Sequence, residues 1–585
     1  MNNFTRLFDI PYFQHATYKV SKAVGDKTSG KWEHYSSRQF IDVINEVSLG
    51  LLALGVQKGD KIALISTNNR AEWNIMDLGM MQIGAINVPV YPTIAPKDYE
   101  YIFNEAEVKY CFVSDTALLK KVETAQPNIA SLQKIFTFDK IEGAMHWHTM
   151  LAQGDLTQVD AIKASIKPED MATIIYTSGT TGNPKGVMLS HNNICSNIHS
   201  VLDMIPIGVN QTALSFLPMC HIFERTVTYA YMAKGITITY AESIEQISAN
   251  IAEIRPHFFT AVPRLLEKVY EKIMAGAALS TGIKKTLGDW ALGLTDHYDY
   301  DKNMGIGFAI ADKLVYSKIR EKLGGNLVGM FTGSAACPSK VIRFFSAIGI
   351  AVREGYGLTE TSPALTLNLY EPNKAMLGTV GMPIKGVEIK IAEDGEILAK
   401  GENIMMGYYK HADKTAEVMT ADGWFMTGDI GTFVENKSGN RFLKITDRKK
   451  ELLKTSGGKY VAPAPIESLL RESFLVEQVM VVGEGQKFVS ALIVPAISTL
   501  ESWAKEQGLV CATTADLLAH SQTKAMFQAI VDGYNPNFSH IEQIKKFALL
   551  AKEWTVDTDE LTPTMKIKRR VITEKYKDII AKIYS

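Results

Sequence analysis

Apolar residues recur along the chain in two alternating patterns, one typical of helices and one typical of strands. Residues 37–54 carry apolar side chains three and four positions apart, which predicts a helix, and Gly55 ends it. KIALIS at 61–66 is a short apolar run that predicts a strand. The same two signals return at 97–108 and 110–115, which indicates helices alternating with parallel strands.

The pattern changes twice further along the chain. Residues 265–325 are mostly helical in spacing, whereas 376–446 carries short strands separated by glycine turns and predicts a β-rich subdomain. After about residue 450 the pattern indicates a small mixed unit of helices and strands. The helix–strand alternation itself continues over three further stretches, 171–202, 210–270 and 310–355.

Composition and charge narrow the functional classes. The chain has 585 residues, enough for roughly three to five domain-sized units, and 46% of them are hydrophobic, which excludes disorder as its main character. The formal net charge of −1 offers no general basic field, so we expect no nucleic acid partner. Five cysteines lie far apart without CxxC spacing, and the first ten residues lack the features of a secretory signal. Together these features predict a cytoplasmic protein.

The segment TIIYTSGTTGNPKGVMLSH at 173–191 carries the strongest chemical signal. An apolar strand leads into a loop of glycines and hydroxyl residues, and we expect a helix to follow. Glycines let backbone N–H groups approach an anion, hydroxyls add donors and a lysine adds charge, as a polyphosphate site requires. Pro184 or Val187 stands where a Walker A motif needs glycine, so that motif is excluded. The proposed phosphate-site residues are Thr177, Ser178, Gly179, Thr180, Thr181, Gly182 and Lys185.

A single loop of this kind is equally compatible with an ordinary turn, so other segments have to decide. Six segments follow it in order: FLPMCHIFER (216–225), FTGSAA (331–336), REGYGLTETSP (353–363), DGWFMTGDIG (422–431), ITDRKKELLKTSGGKYVAP (445–463) and LTPTMKIKRR (561–570). Together with the loop, they resemble the motifs of the adenylate-forming enzymes. That superfamily includes acyl-CoA synthetases, adenylation domains of peptide synthetases and beetle luciferase. The resemblance covers nearly the whole chain.

The resemblance implies an α/β fold with two domains. A large N-terminal domain (1–446) would contain two α/β subdomains plus a β-rich subdomain, and a hinge (447–450) would lead to a small mobile α+β C-terminal domain (451–585). The implied reaction uses ATP and Mg²⁺: a carboxylate attacks the α-phosphate, which gives an acyl adenylate and pyrophosphate. The thiol of coenzyme A, the co-substrate, then takes the acyl group and AMP leaves.

Four side chains are implied to act at the reacting groups. Lys566 would be the main cation at the phosphate and carboxylate, and Glu360 and Thr177 would hold Mg²⁺ through oxygen atoms. His221 would border the acyl site. The alternatives are a solvated lysine in a basic tail, a carboxylate at a helix N-terminus and a structural histidine.

The remaining implied contacts surround the nucleotide. Asp429 would accept hydrogen bonds from the ribose hydroxyls, Tyr356 would lie against adenine, and Lys450 would mark the hinge. A turn aspartate, a core tyrosine and a solvated lysine-rich run are the plain alternatives. The other implied nucleotide-site residues are Gly333, Ser334, Ala335, Glu354, Gly355, Gly357, Thr359, Arg448, Lys454, Gly457, Gly458 and Tyr460.

Within the superfamily, HIFER and AVPRLLEKVYEKI (261–273) resemble long-chain fatty acid–CoA ligases. Many short-chain, aryl and peptide-synthetase members carry Ser-Gly before the catalytic lysine, where this chain has Thr564 and Met565. A fatty acyl-AMP ligase that loads an acyl carrier protein is the nearest alternative, although its usual extra insertion is not evident near 340–450. A luciferase-like monooxygenase and a non-catalytic acyl or nucleotide binder are the others.

The implied substrate, a long-chain fatty acid, partitions into bilayers. Two uncharged stretches, 78–96 and 204–223, are broken by proline, glycine and amide residues, which favours buried strands over transmembrane helices. No amphipathic anchor stands out. We therefore expect a cytoplasmic protein that is soluble or loosely attached at the inner membrane face, and a homodimer remains open.

Overall fold

The structure is a computed structural model that describes residues 4–177, 183–302, 304–562 and 565–585. Through Arg448, the described residues form three sheets with helices packed around them, and a smaller α+β unit follows. The predicted N-terminal helices and strands are confirmed as α2 (Ser37–Ala53), β3 (Lys61–Ile65), α4 (Pro96–Ala106) and β5 (Val108–Val113).

The strands bury alternating or continuous apolar faces, as sheet interiors require. Those of the first part are β1 (Val24–Thr28), β2 (Lys31–Tyr35), β3, β4 (Ile86–Pro89), β5, β6 (Lys134–Thr137), β7 (Met145–His146), β8 (Met171–Thr177), β9 (Lys185–Ser190), β10 (Thr212–Ser215), β11 (Thr237–Tyr240), β12 (Phe258–Ala261), β13 (Gly329–Thr332), β14 (Ala351–Gly357), β15 (Ala364–Leu367), β16 (Met382–Pro383), β17 (Val387–Ile391), β18 (Glu396–Gly401), β19 (Gly407–Tyr408), β20 (Phe425–Glu435) and β21 (Arg441–Arg448). Those of the last part are β22 (Leu453–Lys454), β23 (Tyr460–Val461), β24 (Val476–Val482), β25 (Ser490–Pro495) and β26 (Lys546–Leu549).

The α-helices of the first part are α1 (Ile10–Tyr18), α2, α3 (Ala71–Gln82), α4, α5 (Thr116–Ala125), α6 (Thr157–Ser165), α7 (His191–Val201), α8 (Ile222–Ala233), α9 (Ile247–Ile254), α10 (Pro263–Ala278), α11 (Gly282–Thr295), α12 (Gly305–Ala311), α13 (Ser317–Lys322), α14 (Ser339–Ala347) and α15 (Ala412–Ala416). Those of the last part are α16 (Pro463–Leu470), α17 (Ile497–Glu506), α18 (Thr514–Ala519), α19 (Ser521–Tyr534), α20 (Arg569–Lys575) and α21 (Lys577–Tyr584). A π-helical segment (Asp312–Tyr316) joins α12 to α13, and short 3₁₀ turns occupy Leu7–Asp9, Gln126–Asn128, Trp147–Met150, Leu202–Met204, Thr359–Thr361 and Asn535–Asn537.

Two large sheets carry the helices of the N-terminal part. One has eight strands in the order β19-β9-β8-β4-β3-β5-β6-β7, and the other has nine in the order β16-β15-β14-β13-β12-β10-β11-β1-β2. Their central strands pair in parallel, with antiparallel strands at the edges. The predicted β-rich subdomain is the antiparallel sheet β17-β18-β20-β21. The C-terminal unit has a three-stranded sheet, β24-β25-β26, and a short hairpin, β22-β23.

Helices α3 and α8 are buried almost throughout within the largest apolar core, which takes side chains from both large sheets. Arg225 on α8 forms two hydrogen bonds with Asp77 on α3, at 2.6 and 3.0 Å, and a third with Thr173 on β8 at 2.8 Å. Both charged side chains are fully buried, so this pairing satisfies groups that would be costly to bury alone. It fixes α8 against the first sheet.

One local prediction was wrong. The segment after the glycine-rich loop was expected to be a helix, but residues 185–190 form β9, which pairs antiparallel with β8. The helix begins only at His191, where Ser190 caps it by accepting a hydrogen bond from the Asn193 N–H. Short apolar runs do not separate strand from helix by pattern alone, and here pairing with β8 decides.

Candidate functional site

The loop after β13 lies against the end of β14. A Cβ placed on Gly333 would lie 3.2 Å from the Gly355 carbonyl oxygen, and one on Gly357 would overlap the Pro363 carbonyl at 1.7 Å. Ser334 adopts a left-handed backbone conformation, with φ of +70°, and Ala335 beside it is exposed. Small residues therefore bring two predicted nucleotide-site segments together. Thr359 follows at the start of the 3₁₀ turn, where it is buried.

Tyr356, Asp429 and Arg448 form one cluster. The Tyr356 hydroxyl donates a hydrogen bond of 2.6 Å to Asp429 Oδ2, and Arg448 Nε lies 3.2 Å from Asp429 Oδ1. Asp429 and Arg448 face each other across the β20–β21 pair, so the sheet sets their distance. Burial raises the pKa of Asp429, and the Arg448 charge opposes that shift. Side chains from β14 and β21 thus hold the carboxylate of Asp429, which lies on β20.

Glu354 stands one residue before Gly355, whose carbonyl oxygen faces Gly333. Loss of hydration raises the pKa of its carboxyl to about 8, and a hydrogen bond from the Cys337 N–H opposes the shift. The side chain is therefore mostly protonated at pH 7. A neutral carboxyl both donates and accepts hydrogen bonds, which an ionised carboxylate does not.

Glu360 and Lys185 meet around a tyrosine that the sequence did not single out. The Tyr408 hydroxyl donates a 3.0 Å hydrogen bond to Glu360 Oε1, and Lys185 Nζ lies 4.9 Å from the centre of the Tyr408 ring. Thr177 pairs with Lys185 in the β8–β9 register, and its hydroxyl lies 3.5 Å from the Lys185 carbonyl oxygen. A carboxylate and an ammonium group therefore meet at Tyr408, and the strand pairing brings the Thr177 backbone opposite Lys185. The loop residues Ser178, Gly179, Thr180, Thr181 and Gly182 lie outside the described residues.

His221 is the residue that caps α8. Its Nδ1 accepts a hydrogen bond of 3.1 Å from the Phe223 N–H. Burial lowers the pKa of His221 to about 4, and the positive charge of Lys566 contributes to that shift. The imidazole is therefore neutral, with its hydrogen on Nε2, because Nδ1 is an acceptor.

A tight turn presents Lys566. The Thr562 N–H donates to the Lys566 carbonyl at 2.8 Å, and the Lys566 N–H donates to Thr562 Oγ1 at 3.0 Å. Leu561 and Ile567 bridge the two sides. Met565 adopts a φ of +61°, a left-handed conformation that glycine takes with less strain. The position where many related enzymes carry glycine thus keeps the glycine-like conformation with a methionine.

The turn carries Lys566 to the residues of the N-terminal domain. Although Lys566 keeps contact with solvent, lost hydration and the Arg448 charge lower its pKa to about 8. The negative charges of Asp429 and Glu360 oppose that shift. Lys566 therefore lies within electrostatic reach of two predicted site carboxylates and of His221.

The predicted hinge is anchored firmly on its N-terminal side. Lys449 Nζ lies 2.6 Å from Asp394 Oδ2 and 2.7 Å from Glu396 Oε2, both in the β-rich subdomain. The Lys449 N–H also donates to the Gly428 carbonyl at 2.8 Å. Lys449 therefore belongs to the N-terminal domain.

Glu451 belongs to the other side. Its Oε2 lies 3.0 Å from Arg569 Nε, and Arg569 also pairs with Glu467 at 2.7 Å. Between these anchors, the exposed Lys450 side chain has no hydrogen bond or ion pair with any described residue. Lys450 thus separates a residue tied to the N-terminal domain from one tied to the C-terminal domain, and it stays a predicted hinge residue.

The predicted loop at 454–460 is a separate hairpin of the C-terminal unit. The Lys454 N–H donates to Glu484 at 2.8 Å, Gly458 has a φ of +74°, and Tyr460 is 60% exposed. Gly457 is exposed at the same tip. The backbone hydrogen bonds of this hairpin, as far as the structure describes it, stay within the C-terminal unit, and none joins it to the Asp429 cluster.

Comparison with known proteins identifies the family. Residues 14–409 match the AMP-binding enzyme family, and residues 450–585 match the AMP-binding enzyme C-terminal domain. The chain belongs to the AMP-binding enzyme family. The resemblance stated from the motifs is therefore confirmed, and the second match begins at Lys450.

Curated relatives of this AMP-binding enzyme cover nearly all of it. Long-chain-fatty-acid–CoA ligase FadD15 of Mycobacterium bovis is 33% identical over 95% of this chain and 93% of its own length. Human long-chain-fatty-acid–CoA ligase 1 is 32% identical over 96% of this chain and 83% of its own. Among solved structures, the adenylation domain of a carboxylate reductase from Mycobacterium chelonae aligns with a TM-score of 0.76 at 21% identity, covering 99% of this chain and 91% of that one. This likeness confirms the predicted fold class.

The C-terminal domain of the AMP-binding enzyme makes a second contact with the N-terminal domain, away from Lys566. Arg264 at the start of α10 pairs with Glu477 on β24. The Tyr270 and Phe474 rings pack with centroids 5.9 Å apart. We call these four residues the interdomain latch. The sequence gives no indication of a role for Arg264, because its partner Glu477 lies more than two hundred residues away.

Proposed function

We propose that the protein is an ATP-dependent ligase that activates a long-chain fatty acid as an acyl adenylate and transfers it to coenzyme A, releasing AMP and pyrophosphate. The observation that carries the proposal is the placement of Lys566 within reach of Glu360, Asp429 and His221. Four motifs far apart in sequence supply these residues. The alternative, in which Lys566 is a solvated lysine of a basic tail, does not explain why the four side chains lie near one site.

In the first half-reaction, the protein's task is to bring two anions together and to balance their charge. Lys566 would contact the fatty acid carboxylate and the α-phosphate of ATP, with Lys185 and the glycine-rich loop at the distal phosphates. The neutral His221 would donate from Nε2 without adding charge. Asp429 would accept from the ribose hydroxyls, and Arg448 and Tyr356 would hold its carboxylate in place.

The chemistry of the Glu360 cluster fits Mg²⁺. One carboxylate with a neighbouring hydroxyl, Thr177, suits an ion that takes few protein oxygens and completes its shell with water and phosphates. No group of three or more His, Cys, Asp or Glu residues that could hold a metal ion is present among the described residues. When bound, the ion would neutralise phosphate charge.

The second half-reaction would use a rotation about Lys450. The turn carrying Lys566 would leave, and the hairpin with Lys454, Gly457, Gly458 and Tyr460 would replace it beside the nucleotide. Arg569 supports this proposal, because it ties Glu451 to the segment that follows Lys566. A turn at the hinge would therefore move Lys566 with the rest of the C-terminal domain.

The choice of a long-chain substrate rests on the relatives, which are named as long-chain-fatty-acid–CoA ligases. We further propose a cytoplasmic enzyme with loose attachment at the inner membrane face. In the described chain, no helix combines the length and apolar character needed to cross a membrane.

The test is mass spectrometry of the products formed from ATP, Mg²⁺ and a series of fatty acids, with and without coenzyme A. We expect AMP and acyl-CoA, with the highest yield for long chains. Lys566→Ala should abolish acyl adenylate formation, whereas Lys568→Ala, a neighbouring lysine paired with Asp559 at 2.5 Å, should retain it. Acyl adenylate that accumulates and ignores coenzyme A would instead identify a ligase that loads a carrier protein.

A further inference from the structure

The segment that follows β18, residues 403–408, holds the turn on which Glu360 lies. The Asn403 side chain donates a hydrogen bond of 2.9 Å to the Thr361 carbonyl. The Met405 N–H donates to the Glu360 carbonyl at 2.8 Å. Two hydrogen bonds from one short segment therefore fix the backbone of the predicted metal-binding residue and of its neighbour.

The same segment is also held to the strand that begins with Lys185. Strand β19 pairs antiparallel with β9, and Tyr408 lies opposite Val187 in that pairing. The Tyr409 N–H donates to the Gly186 carbonyl at 2.7 Å. Because β9 begins at Lys185, the strand pairing sets how far Tyr408 lies from this lysine.

The backbone of Tyr408 is fixed on both sides. Its N–H donates to Thr415 Oγ1 at 2.9 Å, and its carbonyl accepts from the His411 N–H at 3.1 Å. Gly407 before it has a φ of +135°, which glycine adopts without strain. Only 7% of Tyr408 is exposed. The tyrosine side chain therefore projects from a rigid stretch of chain into packed surroundings.

The Tyr408 side chain contacts two charged groups with two different parts. Its hydroxyl donates a 3.0 Å hydrogen bond to Glu360 Oε1, and its ring centre lies 4.9 Å from Lys185 Nζ. The hydrogen bond restricts rotation of the Glu360 carboxylate and leaves the second oxygen available to a cation. The ring face attracts the ammonium group of Lys185 electrostatically. One rigid side chain thus sets the positions of an anion and a cation.

We infer that Tyr408 is a positioning residue for the metal–nucleotide complex: its hydroxyl orients Glu360 toward Mg²⁺, and its ring holds Lys185 toward the phosphates of ATP. The inference rests on the proposed function, which gives Glu360 and Lys185 these partners. The plain alternative is that Tyr408 only fills the main apolar core, to which it belongs, and that its hydroxyl takes the nearest acceptor.

The test measures ATP binding to the full-length protein by isothermal titration calorimetry, with either EDTA or Mg²⁺ present. Fatty acid is left out, so that no acyl adenylate forms and the affinities are equilibrium values. Tyr408→Phe removes the hydroxyl and keeps the ring. It should leave ATP affinity in EDTA unchanged and reduce the gain in affinity that Mg²⁺ provides by roughly three- to tenfold, because the Glu360 carboxylate is no longer oriented.

A second variant separates the ring from the hydroxyl. Tyr408→Leu should also weaken ATP binding in EDTA, by roughly two- to fivefold, because Lys185 loses its aromatic neighbour. Tyr409→Phe is the matched control, since successive side chains of a strand point to opposite faces. The Tyr409 ring lies beside Lys61 and Lys410, at 5.7 and 5.3 Å, so both affinities of this variant should equal those of wild type.

A double-mutant cycle tests whether the hydroxyl acts through Glu360. Glu360→Gln should remove most of the gain from Mg²⁺, and adding Tyr408→Phe should reduce it no further. If Tyr408→Phe weakens ATP binding by the same factor with and without Mg²⁺, its role is only structural and the inference is overturned. A full gain from Mg²⁺ in Tyr408→Phe would overturn it as well.

Nucleotide binding and acyl transfer are measured separately. A wild-type protein whose gain from Mg²⁺ depends on Tyr408 but which forms no acyl-CoA would contradict the proposed function and support the inference. A wild-type protein that forms acyl-CoA, together with a Tyr408→Phe variant that keeps the full gain, would overturn the inference alone.

Discussion

Tyr356 donates its hydroxyl hydrogen to Asp429 across 2.6 Å, while Arg448 holds the other carboxylate oxygen at 3.2 Å. The two partners come from different elements, β14 and β21, so the carboxylate is oriented from both sides. It remains able to accept further hydrogen bonds, because each carboxylate oxygen has more than one acceptor position.

The first prediction concerns this carboxylate. Asp429→Asn should raise the KM for ATP by roughly ten- to a hundredfold, since hydrogen bonds to a charged group are lost. Tyr356→Phe, which removes only the orienting hydroxyl, should raise it by roughly two- to tenfold. ATP–pyrophosphate exchange measures both. With 2′-deoxy-ATP the penalty of Asp429→Asn should shrink, and an equal penalty with both nucleotides would mean that Asp429 does not contact the ribose.

The second prediction concerns the charge of Lys566. Because its pKa is lowered to about 8, the lysine is protonated below that pH and loses its charge above it. The kcat/KM for ATP should therefore fall as pH rises through about 8. Lys566→Arg should lower the rate but remove this alkaline decline, since a guanidinium stays charged. Lys568→Arg should keep the decline, and its disappearance in that control would assign the titration elsewhere.

The third prediction concerns Lys450. A proline there fixes φ and should hinder rotation between the domains. Thioester formation from a supplied acyl adenylate should fall far more than adenylation measured by pyrophosphate release. Lys450→Ala removes the side chain but keeps the backbone free, so it should affect neither step strongly. Equal losses in both half-reactions of the proline variant would argue against a pivot at this residue.

The fourth prediction concerns the interdomain latch. Arg264→Ala should weaken the domain arrangement that places Lys566 in the site and so slow adenylation by roughly two- to fivefold, as expected for a partly exposed ion pair. Thioester formation from supplied acyl adenylate should be unaffected or faster. Glu477→Ala should slow adenylation to a similar extent, and the double variant should be little slower than either single variant. Fully additive losses would show that the two side chains act independently.

The fifth prediction concerns Glu354. Its pKa is raised from 4.5 to about 8 in the folded protein, so the folded state retains a proton that the unfolded chain has lost. Stability from this group is present below about 4.5 and is lost as pH rises toward 8. Glu354→Gln stays neutral, so its melting temperature should rise relative to wild type as pH increases. Glu506→Gln, on the exposed end of α17, should show no such trend.

Patterns and motifs predicted much of the architecture because they depend on local burial. The helix at 37–54 and the strand at 61–66 follow directly from which side chains leave water. The strand at 185–190 could not be predicted in this way, since only its pairing with β8 distinguishes it from the start of a helix. Sequence gives the propensity of a short segment but not its partner.

For the candidate site too, some residues could be identified from the sequence and others could not. Lys566, Glu360 and Asp429 were identified as candidates through motif resemblance, and the fold brings both carboxylates within electrostatic reach of Lys566. Tyr408, between Lys185 and Glu360, was missed because nothing in its own segment indicates two partners from distant strands. The exposed apolar side chains Ile283 on α11 and Ile306 on α12 were also missed, since exposure depends on how these helices pack and not on hydropathy.

The anchors on either side of Lys450 define where this chain can be recombined with its relatives. Lys449 is tied to Asp394 and Glu396, and Glu451 is tied to Arg569. A chimaera joined at Lys450 keeps both sets of ties within their parental halves. A junction even a few residues later would separate Glu451 from its partner Arg569, so the half that carries Lys566 would lose this tie to the residue after Lys450.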